Sequence, residues 1–396
     1  MVEKKKNPFF KYNDCDLCGQ CLERCEYMDL GHEQASDEIG RLVRGEPAPI
    51  VADKCTSCYA CNTFCPNDCH PYELIIGSWN ERYKKNGLPV RVSYLMPDSS
   101  PNFRTDIVDK LGPRDRHLHD KWTKTQPEGP YVIYPGCNAL VLPHLLDLDF
   151  LRDIPVSGDF HLCCGEMYFR MGLFDVVERT AQRLTEYYRG RDIGTMLFVC
   201  PAGLNMFRNV LPKQFGAKFS FKTMYLGKYI LDRIRQGSVK ITTMLDRKVA
   251  VHDSCHGRLL HDEVTETARR LYSIMGLDVL EVEPNRQQGL CCGMAAGCNR
   301  YRPDDIYQAC SMQLKRVHKT GAKELAVYCG GCQLLMSMMR WISPGTLPVR
   351  HLFEYICEAT GNPTRLPASK RSLRMLTNVA LKTLPRLLSQ KTYRID

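Results

Sequence analysis

The sequence predicts a helical N-terminal domain, two α/β domains with short parallel sheets, and a basic helical tail. Three observations lead to this prediction. Two cysteine runs occupy the N-terminal region, an internal repeat spans most of the remaining chain, and strand-like segments alternate with helical ones inside that repeat. At 396 residues the chain has the length of two or three domains.

The N-terminal region contains the cysteine pattern of a protein that binds two four-iron clusters. One run is Cys15-x2-Cys18-x2-Cys21-x3-Cys25, and the other is Cys55-x2-Cys58-x2-Cys61-x3-Cys65, followed by proline. In such a pair, three cysteines of a run bind one cubane and the fourth binds the other cubane. We therefore expect two [4Fe-4S] ligand sets: Cys15, Cys18, Cys21 and Cys65 in the first, and Cys55, Cys58, Cys61 and Cys25 in the second.

The rest of the chain alternates between strand and helix patterns. Four strand-like runs end at a cysteine, namely YVIYPGC, MLFVCP, KVAVHDSC and ELAVYCGGC. Helical patterns lie between them, at Phe174–Tyr188, Arg258–Met275 and Asp304–His318. This alternation predicts parallel sheets, in which ligands bind beyond the carboxyl ends of the strands. The cysteines are therefore expected at the binding edge of each sheet.

The repeat has two copies with unequal numbers of cysteines. The first copy carries Cys137, Cys163, Cys164 and Cys200, and the second carries Cys255, Cys291, Cys292, Cys329 and Cys332. Five thiols exceed the four that one cubane needs, so the second copy is predicted to bind an unusual cluster. Gly203 occupies the place of the fifth cysteine in the first copy. Its four cysteines could hold a further cluster, a structural zinc ion or no metal.

These motifs resemble those of the D-type subunits of heterodisulfide reductase, in which a two-cubane ferredoxin module precedes two CCG domains. Related iron–sulfur subunits occur in glycolate oxidase, anaerobic glycerol-3-phosphate dehydrogenase, sulfite-reduction-associated complexes and benzoyl-CoA reductase complexes. The resemblance extends over residues 10–360 and includes the segments CPNDCHPYELI, HDSCHGR and CCGMAAG. It implies that the second copy binds a noncubane [4Fe-4S] cluster at which a disulfide is reduced.

On this basis the chain divides into five parts. They are a ferredoxin-type domain with two clusters (1–85), a linker (86–130), a degenerate CCG domain 1 (131–245), CCG domain 2 (246–362) and a basic amphipathic tail (363–396). The two CCG domains are expected to be pseudo-symmetric. The tail carries Lys370, Arg371, Arg374, Lys382, Arg386, Lys391 and Arg394, which favours docking to a partner subunit or a membrane surface.

The composition argues against a membrane-spanning protein and against a secreted, disulfide-rich one. Hydrophobic residues make up 44% and charged residues 25% of the chain, as in a soluble globular protein. No apolar run is long enough to span a membrane, and the N-terminus does not resemble a secretory signal. We expect a cytoplasmic protein that reaches the membrane face, if at all, through its partners or its tail. The 21 cysteines are an odd number, which argues against a secreted disulfide framework.

Charge and motif content also limit the cofactors and partners. The formal charge of +10 falls to about +6 when two cubanes are bound, which leaves too weak a basic character to predict nucleic-acid binding. The sequence lacks a GxGxxG fingerprint and a P-loop, so neither flavin nor NAD is expected. The expected partners are other redox subunits, with a membrane-bound quinone or haem subunit as one candidate.

Three hypotheses for function follow. The first is an oxidoreductase subunit that reduces a disulfide at the second-copy cysteines, with His256 as a candidate proton donor to the leaving thiolate. A buried structural histidine is the alternative role for His256 and for His252. The second hypothesis is a pure electron relay between a quinone- or flavin-linked subunit and a catalytic subunit. The third is a zinc-binding scaffold. Cys69, Cys298, Cys310 and Cys357 fit no motif and are expected to pack in the core.

Overall fold

The structure, a computed structural model, describes residues 7–343, 345–362 and 364–395. Residues 1–6 of the predicted first domain, and residues 363 and 396 of the predicted tail, lie outside the described residues. Among the described residues, no helix combines the length and the apolar character that crossing a bilayer requires.

The N-terminal region is helical, as the sequence predicts. Its helices are α1 (Gln20–Glu23), α2 (His32–Val43), α3 (Pro49–Lys54), α4 (Ala60–Phe64) and α5 (Pro71–Asn86). Helices α1 and α4 each begin two residues after the second cysteine of a run. They pack on each other and on α2 and α5, and this arrangement brings the two cysteine loops together.

The first copy of the repeat forms a three-stranded parallel sheet. Its elements are β2 (Gly129–Tyr134), α8 (Gly136–Leu140), α9 (Glu166–Arg170), α10 (Phe174–Tyr188), β3 (Ile193–Phe198), α11 (Pro201–Asn205), α12 (Leu211–Phe215), β4 (Lys222–Tyr225) and α13 (Leu226–Arg235). The strand order is β2-β3-β4. Helix α10 has the bounds that the sequence predicts and buries Val176, Val177, Ala181 and Leu184 along one face.

The second copy forms a four-stranded parallel sheet. Its elements are β5 (Arg247–His252), α14 (Cys255–Leu259), α15 (Thr265–Ile274), β6 (Leu277–Glu281), α16 (Gly297–Arg300), α17 (Pro303–Lys319), β7 (Glu324–Val327), α18 (Gly330–Met339), β8 (Val349–His351) and α19 (Leu352–Ala359). Helix α17 has acids in its first turn and basic residues in its last turn, an arrangement that complements the helix dipole. The predicted short parallel sheets are therefore confirmed.

The two sheets share a strand order. The second sheet has the order β6-β5-β7-β8, so β2, β3 and β4 of the first sheet correspond to β5, β7 and β8. Where the second sheet has β6, the first has a single parallel bridge between Ile133 and Val156. In both sheets a cysteine follows within three residues of the first two corresponding strands, at Cys137 and Cys200 and at Cys255 and Cys329.

The segment expected as a linker and the basic tail pack on each other. The segment contains β1 (Leu88–Pro89), α6 (Phe103–Val108) and α7 (Pro113–Lys124), and the tail contains α20 (Ala368–Lys382) and β9 (Thr392–Tyr393). Strand β9 pairs antiparallel with β1. Several basic tail residues bind acids of the same chain, because Lys382 pairs with Asp106 and buried Arg371 pairs with Asp115. Part of the tail's charge is therefore neutralised within the molecule.

We predict that Asp115→Ala destabilises the fold strongly. Asp115 and Arg371 are both buried, and Asp115 also accepts a hydrogen bond from Arg365 at 2.7 Å. The substitution leaves a buried guanidinium without its carboxylate, which costs about 3–5 kcal/mol. Anaerobic urea unfolding followed by circular dichroism measures this loss.

Glu186→Ala is the matched control for that experiment. Glu186 pairs with Arg189 on the surface, where the two side chains are 68% and 69% exposed. Removing such a pair costs less than about 1 kcal/mol. If the two variants unfold at the same urea concentration, the Asp115–Arg371 pair does not hold the tail.

Candidate functional site

The first cysteine group lies near the protein surface. Cys15, Cys18, Cys21 and Cys65 all line one small cavity, which Phe10 and Ile39 close from the protein side. Cys21 is buried, while the other three cysteines are partly exposed. Cys65 thus joins the first run and not its own run. The structure brings together the four thiols that the cluster pattern groups.

The second cysteine group is fully inside the protein. Cys25, Cys55, Cys58 and Cys61 are all buried, and Cys25 lies close enough to Cys58 to interact electrostatically with it. Burial raises the pKa of the Cys25 thiol to about 12. The backbone N–H of Ser57 donates to Cys55 Sγ at 3.4 Å, a contact that favours a thiolate. Cys25 of the first run thus lies beside a cysteine of the second run.

The two cysteine loops have the same backbone conformation. The residue after the second cysteine of each run has a positive φ, which is 73° at Gly19 and 64° at Tyr59. Only glycine adopts this region without strain, so the conformation of Tyr59 is held by its surroundings. Its ring packs on Tyr72, with the centroids 4.0 Å apart. The two loops therefore share one local fold.

The five cysteines of the second copy converge at the carboxyl edge of its sheet. Cys255 begins α14, the Cys291–Cys292 pair lies in the loop before Gly293, and Cys329 and Cys332 lie at the start of α18. Their thiols form a continuous series of interactions, in the order Cys255, Cys291, Cys292, Cys332 and Cys329. Cys329 is partly exposed, whereas the other four are buried. We name this set the CCG site.

The thiols of the CCG site have the properties of a metal-binding set. Hydrogen bonds from Cys291 and Cys332 lower the pKa of Cys292 to about 5, and hydrogen bonds from Cys200 and Cys332 lower the pKa of Cys329. The donating neighbours stay protonated, since their own pKa values are raised. A bound metal replaces such shared protons, because metal binding ionises thiols. The donor set therefore fits an iron–sulfur cluster.

The cysteines of the first copy lie next to the CCG site. The thiols of Cys137 and Cys163 interact directly, and Cys164 follows Cys163. Cys200 instead interacts with Cys329 of the second copy. The sequence predicts separate cysteine sets in the two copies. In the structure the contact between Cys200 and Cys329 connects these two sets.

Gly203 lies in a tightly packed position of the first copy. A Cβ atom there would lie 3.2 Å from the Tyr134 ring and 3.3 Å from the Phe198 ring. Both distances are shorter than ordinary van der Waals contacts. Tyr134 is also held in place, because its hydroxyl donates to the carbonyl of Leu162. A side chain at position 203 would therefore require these rings to move by a few tenths of an ångström.

Arg170 connects the second cysteine group to the CCG site. Its guanidinium donates to Cys255 Sγ at 2.8 Å and to the carbonyl of Ser57, and the Ser57 hydroxyl donates to the carbonyl of Arg170. The guanidinium also lies 4.8 Å from the centre of the Tyr59 ring. A buried cation requires anionic partners, and the Glu166 carboxylate, which pairs with this guanidinium, provides one. Arg170 therefore places a positive charge between the two groups.

Two further contacts bring the same groups together. Buried Arg258 donates to the carbonyls of Cys58 and Gly289, and Tyr27 Oη donates to the carbonyl of Cys291 at 2.8 Å. Side chains of the cysteine loop at residues 58–64 share one apolar cluster with Cys255, Cys291 and Cys332. The N-terminal domain and the second copy thus pack directly, with their cysteines on the shared face.

The structure distinguishes the two histidines beside Cys255. His256 Nε2 lies 2.8 Å from Glu166 Oε1, and burial lowers the pKa of His256 to about 4. It is therefore neutral at neutral pH. His252 Nε2 has no hydrogen-bond partner among the described residues, and His252 has a ring nitrogen within 4.8 Å of the thiols of Cys292 and Cys332. His252 is thus the histidine that lies closest to these predicted cluster ligands.

Sequence reasoning missed several groups at this site. Arg104 lies beside Cys137 although it belongs to the expected linker, and Arg170 and Arg258 come from two different copies. No periodic pattern marks such residues, because each acts across a domain boundary. His252 was not missed, since its position three residues before Cys255 already marks it in the sequence, and it ends a strand there.

The cysteines outside the motifs are buried in the described structure. Cys69 lies beside the first group, where its N–H donates to Cys65 Sγ at 3.3 Å. Cys310 packs beside Cys291 and Cys292, and Cys357 lies in α19. Cys298 is close to Cys55 and to Cys255, so it lies between the second group and the CCG site.

Comparison with known proteins finds relatives among redox-complex subunits. A family model described as the CCG cysteine-rich domain matches residues 249–337. The D subunit of dihydromethanophenazine:CoB–CoM heterodisulfide reductase from Methanosarcina acetivorans is 23% identical over 393 residues, covering 88% of this chain and 94% of that protein. The EtfAB:quinone oxidoreductase of Syntrophomonas wolfei is 23% identical, covering 76% of this chain and 44% of that protein. The B subunit of fumarate reductase (CoM/CoB) from Methanothermobacter marburgensis is 22% identical, covering 82% and 67%.

These relatives confirm the resemblance to the D-type heterodisulfide reductase family that the motifs indicate. They support an iron–sulfur, electron-transport protein of the oxidoreductase type. The similarity extends over most of the chain, so it includes the N-terminal domain as well as the two copies.

Glu73 is a buried acid beside the second cysteine loop, and its burial should make the stability of the protein depend on pH. Burial raises its pKa to about 7, although Asn62 Nδ2 donates to Glu73 Oε2 at 3.0 Å. The folded carboxyl thus stays protonated where the unfolded one ionises, so stability falls as pH rises from about 4.5 to about 7. We predict that Glu73→Gln removes this loss and stabilises the protein at about pH 8 by up to about 3 kcal/mol.

Urea unfolding at about pH 5 and about pH 8 tests this prediction. The gain from Glu73→Gln should be larger at the higher pH. Glu81→Gln on the same helix is the control, because Glu81 is 73% exposed and should change stability equally at both pH values. An equal effect of Glu73→Gln at both pH values would contradict the raised pKa.

Proposed function

We propose that this chain is an iron–sulfur subunit of an anaerobic multi-subunit redox complex. It would pass single electrons through two cubanes to a noncubane [4Fe-4S] cluster at the CCG site, where a disulfide is reduced to thiols. One observation carries the proposal. The cysteine groups form a series from a partly exposed first group, through a buried second group, to the CCG site.

The proposed ligands follow from these groups. Cys15, Cys18, Cys21 and Cys65 would bind the first cubane, and Cys25, Cys55, Cys58 and Cys61 the second. Cys255, Cys291, Cys292, Cys329 and Cys332 would bind the noncubane cluster. Cys137, Cys163, Cys164 and Cys200 remain candidates for a fourth cluster or a zinc ion, with Cys200 close to Cys329.

The chemistry requires electrons, protons and stabilisation of negative charge. Reduction of a disulfide to two thiols consumes two electrons and two protons, and iron–sulfur clusters supply electrons one at a time. Arg170 lies where it can stabilise added negative charge at Cys255, since charge-assisted hydrogen bonds to sulfur favour the anionic state. His256 is hydrogen-bonded to Glu166, and its lowered pKa keeps the ring neutral, which opposes the proton-donor role because only the protonated imidazole is an effective acid.

A pure electron relay is the second candidate. The observation in its favour is the burial of the CCG site, where Cys329 is the one partly exposed thiol of the five. The similar protein from Syntrophomonas wolfei is named as a quinone oxidoreductase. In either case the partly exposed first group is the natural contact for a partner redox subunit, which could be membrane-bound. A zinc scaffold is disfavoured, because zinc ribbons favour isolated CxxC pairs and not runs of three cysteines followed by a fourth.

Cys329→Ser tests the disulfide-reducing role. Because Cys329 is the exposed end of the CCG site, we predict that the variant loses the electron paramagnetic resonance signal that a thiol or disulfide induces in the oxidised wild type. The cubane signals should persist, since their ligands lie in separate groups. Cys357→Ser, in α19, is the control and should behave as the wild type.

The outcomes separate the hypotheses. A wild type with no thiol-induced signal but with several clusters supports the relay. Loss of all iron from Cys329→Ser contradicts the separation of the cysteine groups. Absence of iron and acid-labile sulfide from anaerobically prepared wild type contradicts every iron–sulfur function.

Arg170→Met tests the proposed electron path. Loss of the guanidinium beside Cys255 should lower the reduction potential of the CCG cluster by tens of millivolts, because the reduced, more negative state loses a cationic neighbour. Redox titration with paramagnetic detection measures this shift. Arg183→Met, at an exposed position of α10, is the control and should leave all potentials unchanged. An unchanged reduction potential in Arg170→Met would contradict the binding of that cluster at Cys255.

A further inference from the structure

An apolar cavity lies beside the CCG site and belongs to none of the cysteine groups. Its volume is about 290 Å³, and its walls come from the linker segment, from α17 and α18, and from the tail helix α20. Seven methionines line it: Met96, Met167, Met171, Met294, Met338, Met339 and Met375. Methionine side chains adapt to irregular apolar ligands.

The lining indicates an apolar occupant. An apolar void of this size forfeits dispersion contacts, whereas an ordered water needs two or more polar partners, which these walls rarely offer. One unsatisfied polar group is Thr383, which lines the cavity and whose buried Oγ1 has no hydrogen-bond partner among the described residues. The hydroxyl of Tyr301, whose ring packs on the Arg82 guanidinium, adds a second polar group at the wall.

The position of the cavity connects it to the electron path. Cys298 forms part of its wall, and Cys298 lies between Cys55 of the second cysteine group and Cys255 of the CCG site. Met167, also in the wall, contacts Cys298 with the sulfur atoms 3.7 Å apart. A ligand in the cavity would therefore lie beside both groups.

The rim of the cavity is apolar and exposed. Tyr307, Ile342 and Leu384 line it and are 45%, 40% and 48% exposed. Farther along the tail, Leu381 is 67% and Leu388 is 93% exposed. A molecule with a long apolar chain could enter here and leave its chain on this surface.

We propose that this cavity is a binding site for a lipophilic quinone. The ring would pack among the methionines, a ring carbonyl would accept a hydrogen bond from Thr383 Oγ1, and the apolar chain would leave past Leu384. Binding itself depends only on the cavity. The use of the site for electron exchange with the neighbouring cysteine groups rests on the proposed function.

Equilibrium dialysis of the purified, cluster-loaded chain with decylubiquinone tests the site. Wild type should bind one quinone saturably. Thr383→Val removes one hydrogen bond and should weaken binding about three- to tenfold. Met375→Trp and Ala380→Phe fill the cavity from α20, and each should weaken binding roughly tenfold or more. Thr377→Val is the matched control, because Thr377 is exposed on the same helix and should leave binding unchanged.

Circular dichroism and iron content establish that each variant is folded and loaded. The proposal is overturned if folded wild type shows no saturable binding, or if both cavity-filling variants bind as tightly as wild type. It is also overturned if decanol competes as well as the quinone, since the ring carbonyl is then not recognised. If the wild type carries no clusters and still binds the quinone, the proposed function is contradicted and the quinone site stands.

Discussion

The packing of the second cysteine loop against the second copy is the constraint on which the rest of the structure depends. Arg170 and Arg258 are buried cations at this contact, and each binds groups on both sides of it. A buried guanidinium is stable only with anionic or strongly polar partners. Those partners are the Glu166 carboxylate, the Cys255 sulfur and backbone carbonyls of the cysteine loops. The N-terminal domain and the two copies therefore meet at buried arginines beside the cysteine loops.

Much of this arrangement is predictable from sequence because it follows local rules. Helix α10 has the predicted bounds, and the strands that precede Cys137, Cys200, Cys255 and Cys329 form parallel sheets. The grouping of Cys65 with the first run and Cys25 with the second follows from ligand spacing alone. Local periodicity and fixed spacing carry this information.

The residues that sequence reasoning missed act between domains. Arg170 reaches Cys255 from the first copy, Arg104 reaches Cys137 from the linker, and Cys200 contacts Cys329 across the two copies. Such contacts depend on how whole domains pack, and one sequence contains no direct signal for them. The tail illustrates the same limit. Its composition suggests a basic surface, yet Arg371 and Lys382 bind acids of the linker segment.

The packing around Gly203 limits which residues the first copy can accept at this position. The aromatic rings of Tyr134 and Phe198 lie against the glycine, so core packing leaves little space for a side chain at the position that corresponds to Cys332. Cysteine at this position would require the two buried rings to shift by a few tenths of an ångström. If the two copies arose by duplication of a five-cysteine ancestor, regaining the fifth cysteine would strain the core packing of the first copy. The difference between four cysteines in the first copy and five in the second would then tend to persist through later evolution.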